Sequence, residues 1–328
     1  MLTDLEECKF LLLAEGVHVE SDALDYVRAQ DSTGTLTPAD YASTSGVILQ
    51  LGDDVWVNAP VADHNPNFVE SPTCVLTIDD GHLVVRGGGL EAAARFWLPP
   101  RYHVETNMWG EPYTSYAFTH TDRVRISPIE GCSMACQFCN LPYEFKYRPK
   151  LVEGLLDAVQ AAVDDPVQPA SHVLISGGTP REGDFAYLRD VYDAVLDRFG
   201  HLGVDIMMVP IEEVVDVDRL VANGVDGLSI NIEIYNQDIA RRMMRRKWIQ
   251  GIEQYLTFIE RAASAMEPHR CRSMLMVGLE PLESTLAGVR AIAERGGVPV
   301  LSPFRPDPAT PLRGRAQPSR DELREAYL

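Results

Sequence analysis

Apolar and polar positions change their period near residue 122. From there on, short β-branched or apolar runs alternate with longer stretches of helical period. Six runs read as strands: Arg123 to Ser127, His172 to Ser176, Val204 to Pro210, Gly227 to Glu233, Ser273 to Gly278 and Val298 to Pro303. Each of the first five precedes a stretch able to form a helix, among them Leu151 to Val163, Phe185 to Phe199 and Trp248 to Met266. Repeated βα units build a parallel sheet with right-handed crossovers, and six of them predict an α/β fold with a partial (β/α)6 TIM barrel. In such a barrel the chemistry sits on loops that follow the strand C-termini.

The first 120 residues have another rhythm. Two helical patterns, Leu5 to Ala14 and Asp22 to Ala29, give way to short alternating runs. Val47 to Gln50 and Val55 to Asn58 flank Gly52-Asp53-Asp54, and Cys74 to Ile78 and Leu83 to Val85 flank Asp79-Asp80-Gly81. Both are hairpin signals. Charge changes as well, since residues 1–120 hold 18 acidic and 5 basic side chains of the 48 and 29 in the whole chain. A small α+β N-terminal domain over residues 1–120 is therefore predicted, covering or extending a barrel of residues 121–328 and enclosing substrate. The aromatic and histidine-containing stretch Trp97 to His120 reads as a packed connector.

With 45% hydrophobic residues the chain can bury a full core, so the two parts read as one enzyme. The formal charge of −19 disfavours nucleic acid as a partner, because phosphate binding needs clustered positive charge. No apolar run reaches the length of a membrane span and no targeting signal is visible, so a cytoplasmic location is expected.

The densest chemistry is Cys132-x-x-x-Cys136-x-x-Cys139, with Phe138 just before the last cysteine. A structural zinc site would want four ligands in two pairs, and no second Cys or His pair lies nearby. A disulfide fits poorly with three closely spaced thiols. Three thiolates do suit an iron–sulfur cubane that leaves one iron open. The stretch Glu130 to Asn140 resembles the cluster loop of the radical S-adenosylmethionine (SAM) superfamily, whose open iron binds the amino and carboxylate groups of SAM. The resemblance implies a single 4Fe-4S cluster on Cys132, Cys136 and Cys139, with SAM as second cofactor and Phe138 at the cofactor site.

Further segments resemble that superfamily, in order, over roughly residues 122 to 315. Gly177-Gly178-Thr179-Pro180 is similar to the element holding the methionyl amino group, although an ordinary βα turn also uses Gly and Pro. Asn231-Ile-Glu233 looks like a segment of lipoyl synthase and, less closely, of biotin synthase, which implies that Glu233 binds the ribose; a helix N-terminal acid is the alternative. The basic run Arg241 to Lys247 would ordinarily be a solvated helix face. Related enzymes place a basic residue hereabouts near the SAM carboxylate, which the resemblance assigns to one of these arginines, with Arg245 the one expected. Gly278 and Leu279 resemble the strand end that lines the adenine.

Cys8, Cys74 and Cys271 lie far apart in sequence, which argues against a second, cysteine-held cluster. Cys271 reads as a small buried hydrophobe. Lys146, Arg148 and Lys150 form a basic patch after the cluster loop, proposed to dock an acidic flavodoxin or ferredoxin electron donor. The resemblance implies an enzyme that generates a 5'-deoxyadenosyl radical and abstracts hydrogen from a small-molecule biosynthetic intermediate. The alternatives are modification of a ribosomal peptide and a non-catalytic iron–sulfur sensor. The residues acting on the substrate are not legible.

Overall fold

The computed structural model describes residues 2–31, 46–62 and 69–328. The first helix, α1 (Asp4–Glu15), opens on a reciprocal cap between Thr3 and Glu6 and buries Cys8, Leu11 and Leu12. It packs on a six-stranded sheet made of β1 (Val17–Val19), β2 (Val47–Leu51), β3 (Val55–Ala59), β4 (Cys74–Asp79), β5 (His82–Gly87) and β6 (Leu90–Phe96), in the order β1-β4-β5-β6-β2-β3. Both hairpins expected from sequence pair antiparallel. The second turns through Asp80 and Gly81 at φ 45° and 80°, the left-handed geometry that a two-residue hairpin demands. Strand β6 runs through three alanines, a composition that hid it from the period-2 reading.

The second sheet holds β7 (Ala117–His120), β8 (Arg123–Ile126), β11 (His172–Ile175), β12 (Val204–Met207), β13 (Gly227–Ser229), β14 (Cys271–Val277) and β15 (Val298–Pro303). The pair β9 (Ile129–Glu130) and β10 (Arg148–Pro149) stands apart beside the cluster loop. The sheet order β15-β14-β13-β12-β11-β8-β7 contains the six parallel strands of a partial TIM barrel. The seventh, β7, is antiparallel to β8. Residues 117–120, grouped with the N-terminal part by sequence, thus form the edge of the barrel sheet, and Tyr102 and Tyr116 of the connector enter the barrel core. Among the described residues no helix is long and apolar enough to cross a membrane.

Alternation along these strands separates two environments. Val124, Ile126, Val173, Ile175, Val204 and Ile206 face the surrounding helices and are at most 1% exposed. Their neighbours Arg125, Leu174 and Asp205 share the other face by register and line the inside of the curled sheet. Cys271 faces outward, with its thiol directed at the Ile259 carbonyl of the helix Ile252–Ala265, as expected of a small hydrophobe.

The stretch Trp248 to Met266, read as one helix, is two. Helix Arg245–Gln250 ends at Gly251, whose φ of 87° breaks the ladder before Ile252–Ala265 begins. The N-terminal module contacts the barrel at the β15 side. Glu7 of α1 holds Arg320 at 2.9 Å and Arg324 at 2.7 Å on the last helix, Arg320–Tyr327, and Arg305 donates to the Asn58 carbonyl. Cys8 and Cys74 are sealed in that module's own core, so neither reaches the barrel rim.

On β15 the backbone N–H just past the strand, at Phe304, donates back to Val277 of β14. By alternation the odd-numbered nitrogens of β15 point away from the sheet, and two of those positions are Pro299 and Pro303.

Candidate active site

The loop after β8 carries the three cysteines and is clamped from two sides. On one, the Ser133 N–H donates to the Thr179 carbonyl at 3.0 Å and its hydroxyl to the Pro180 carbonyl at 3.0 Å. On the other, Gln137 donates to the Met243 and Arg242 carbonyls, and Arg246 donates to the Ser133 carbonyl. Gly178 is forced by the first contact, since a Cβ there would stand 1.7 Å from the Gly131 carbonyl oxygen. That is a packing reason for the second glycine of Gly177-Gly178.

Cys132, Cys136 and Cys139 line one cavity of about 100 Å³ together with Phe138, Gly177, Thr179, Asn231 and Glu233. The Cys132 sulfur accepts backbone N–H groups from Met134 at 3.3 Å and Thr179 at 3.2 Å. Burial pushes the Cys136 thiol well above its ordinary range and the Cys139 thiol up to about 11. Thiols in that condition become thiolates only against a bound metal or a cation. Among the described residues no three His, Cys, Asp or Glu side chains come close enough to share one metal ion. Three thiols spread around one cavity are instead suited to a polynuclear cluster, in which each sulfur takes its own iron.

Opposite the thiols stands a buried ion pair. Glu233 follows β13 with φ 67°, a left-handed conformation costly for a residue with a Cβ, fixed by backbone bonds to Met274 and Met276 of β14. Its carboxylate meets the Lys247 ammonium at 2.8 Å, with the side chains 13% and 8% exposed. Burial acts to lower the Lys247 pKa, but the Glu233 carboxylate outweighs it and holds the ammonium above its ordinary range. Beneath the pair, Asn231 accepts the Met274 N–H at 3.1 Å, and Glu280 accepts the Tyr235 and Asn236 N–H groups, bracing the whole turn.

Lys247, not Arg245, is the member of the basic run that lines this cavity. Arg245, the residue expected from sequence, is exposed at the start of its helix. A signal existed: Ala240, Met244 and Lys247 recur at i, i+4 and i+7, and all three are buried. The apolar lining from Met134, Leu141, Met207, Met208 and Val209 was also not anticipated.

The other expected residues are placed nearby. Gly178 and Pro180 support the cluster loop. Gly278, at φ 97°, lies against Pro318, and Leu279 packs at 1% exposure with Cys136, Met244 and Phe304. Arg315 donates to both of their carbonyls, at 2.8 and 3.1 Å. Lys146 is exposed, but Arg148 is paired with Glu130, and Lys150 donates to the Ser115 carbonyl while burial lowers its pKa to about 8. The patch thus presents fewer free charges than its sequence suggests. Exposed cations do gather on the other flank of the cluster loop, at Arg241, Arg242, Arg245 and Arg246.

A half-barrel with three thiols on the loop after its first parallel strand defines a class. The chain carries a radical SAM superfamily domain, whose family model matches residues 126–287. Superfamily members are enzymes that use a 4Fe-4S cluster and SAM. No curated protein matches the chain. Among solved structures it is similar to HydG, a maturase of the FeFe-hydrogenase, at 14% identity and TM-score 0.49, covering 62% of this chain and 47% of that one. Coproporphyrinogen III oxidase (HemN) from Escherichia coli matches at 18% identity and TM-score 0.43, covering 63% and 51%. A radical SAM methyltransferase from Sphaerobacter thermophilus matches at 14% identity and TM-score 0.35, covering 71% and 78%. The chain spans about half the length of the first two.

Proposed function

We propose that the rim cavity is the catalytic centre of a radical SAM enzyme acting on a small molecule. The observation that carries this reading is the convergence of Cys132, Cys136 and Cys139 with the buried Glu233–Lys247 pair on one cavity. When bound, the reduced cluster supplies the electron that splits SAM and frees a 5'-deoxyadenosyl radical able to abstract hydrogen.

The chain's own residues hold, orient and shield. The three cysteines are the cluster ligands, and the Met134 and Thr179 N–H groups stabilise negative charge on the Cys132 sulfur. Gly177, Gly178, Thr179 and Pro180 present backbone at the methionyl end, where glycine permits close approach. Glu233 accepts hydrogen bonds from the ribose hydroxyls, held in place by Asn231 and by its own β14 contacts. Lys247, its charge kept by Glu233, attracts the carboxylate of SAM. Gly278 and Leu279, fixed through Arg315, offer backbone to the adenine. Phe138 and the methionines keep bulk water from the radical.

An acidic flavodoxin- or ferredoxin-like donor docks on the exposed Arg241, Arg242 and Arg245 face, whose carbonyls at Arg242 and Met243 grip the cluster loop directly. The decisive experiment is electron paramagnetic resonance of anaerobically reconstituted, dithionite-reduced protein with and without SAM. A four-iron signal whose g-values move on adding SAM is expected. A signal indifferent to SAM overturns the reading.

A further inference from the structure

The interior of the half-barrel carries a charge imbalance that SAM binding does not use. Its carboxylates are already engaged: Asp205 by Arg272 at 2.7 Å and His172 at 3.2 Å, and Glu233 by Lys247 at 2.8 Å. On β8, Arg123 and Arg125 occupy the inner positions, because Val124 between them and Ile126 after them face the helices. Neither arginine has an ion pair or hydrogen bond among the described residues. Two uncompensated guanidinium groups thus line the lumen of a chain whose net charge is −19.

Arg125 is the more telling of the two. It remains accessible to water, yet surrounding protein atoms, and next Arg123, push its pKa down. Register sets it beside Leu174, which is itself level with Asp205, so this accessible guanidinium opens into the curl of the sheet. Directly across the strand pair stand Phe118 opposite Arg125 and His120 opposite Arg123. His120 Nε2 is buried without a partner, and burial followed by the Arg125 and Arg123 charges lowers that imidazole to about 4, so it is neutral at neutral pH.

We propose that Arg125, with Arg123 and His120 beneath it and Phe118 as an apolar wall, is the anchor for an anionic group of the substrate, a carboxylate or a phosphate. The proposal rests on the radical SAM reading for the direction of the molecule: the anchored end lies on the barrel wall and the reacting carbon points up to the rim. A planar guanidinium offers paired N–H donors that match either anion, and an unpaired one in a lumen costs free energy until such a ligand arrives. The substrate class is therefore small anionic metabolites, as distinct from neutral or cationic ones.

The test uses the full chain, anaerobically reconstituted and without SAM, titrated at constant ionic strength. Inorganic phosphate is followed by phosphorus NMR in one arm and succinate by proton NMR in the other. Saturable millimolar binding is expected in at least one arm, weakened roughly tenfold in Arg125→Gln, the loss expected for a charged hydrogen-bonded contact. Phosphate alone binding assigns a phosphate ester, succinate alone a carboxylate, and both a shared anion site. Arg125→Lys keeps the charge but not the fork, so it retains phosphate better than succinate; it also serves as the comparison should Arg125→Gln fail to hold its cluster. No saturable binding of either anion at tens of millimolar, or equal binding by wild type and both variants, overturns the proposal. The SAM response of the wild-type cluster decides the parent reading separately, so the two failures are distinguishable.

Discussion

The rim and the floor of the same barrel both bury a carboxylate beside a cation, and they do so differently. On the floor, Asp205 holds two cations on its Oδ2, and its pKa is lowered because His172 and Arg272 outweigh the upward push of burial. At the rim, Glu233 has one partner, a left-handed backbone and an open cavity in front of it. An acid gripped by two cations in a relaxed strand is structure. A strained acid with one cation and empty space before it is poised for a ligand.

The largest test of this contrast is at the thiols. Cys136→Ser should lose nearly all cluster iron, read by iron analysis and the reduced four-iron signal, while the floor and the fold survive. Next comes the ion pair. Lys247→Met leaves Glu233 charged and alone, so stability should fall by about 3–5 kcal/mol in urea unfolding and the SAM-induced shift in g-values should vanish. Asp205→Asn on the floor should cost less, about 1–3 kcal/mol, because Arg272 is partly solvated, and should leave the SAM response in place. Equal loss of SAM response in both variants would erase the distinction between rim and floor.

A smaller effect is acid sensitivity on the β7 flank. His103 accepts the Thr119 N–H at 3.1 Å, and burial, then His120, lowers its pKa to about 3. A base depressed on folding stabilises above its unfolded value near 6.5 and loses that contribution as pH falls. His103 should therefore contribute about 2 kcal/mol of the drop in unfolding free energy between pH 7.5 and 5, with His120 adding to it, and His103→Gln should make that slope shallower without abolishing it. Smallest is the docking face: Arg241→Glu with Arg242→Glu should slow flavodoxin-supported turnover severalfold at low salt and leave the dithionite-supported rate intact. Equal slowing in both assays would remove the docking role.

Much of this was legible in the chain. The βα alternation carried the six parallel strands, because each strand buries its helix-facing side in apolar residues whose period survives in sequence. The cysteine spacing and Gly177-Gly178 were readable because backbone approach and metal ligation restrict residue type. Three things escaped for physical reasons. Strand β7 is four residues long and precedes the parallel pattern, so its pairing depends on tertiary contact. Lys247 hid inside a run of arginines, where charge count masked the i, i+4, i+7 stripe it completes. The burial of Lys150 and the pairing of Arg148 follow from the β9–β10 ribbon and the Ser115 turn, which composition does not announce.

A half-barrel has an edge strand that a closed one lacks, and β15, on the side where the N-terminal module docks, is that edge. Two of its outward nitrogens belong to Pro299 and Pro303 and have no hydrogen to offer, so a strand from a neighbouring molecule finds a broken ladder there. The sheet can stay open without becoming a seed for polymer, which makes those two prolines a colloidal safeguard.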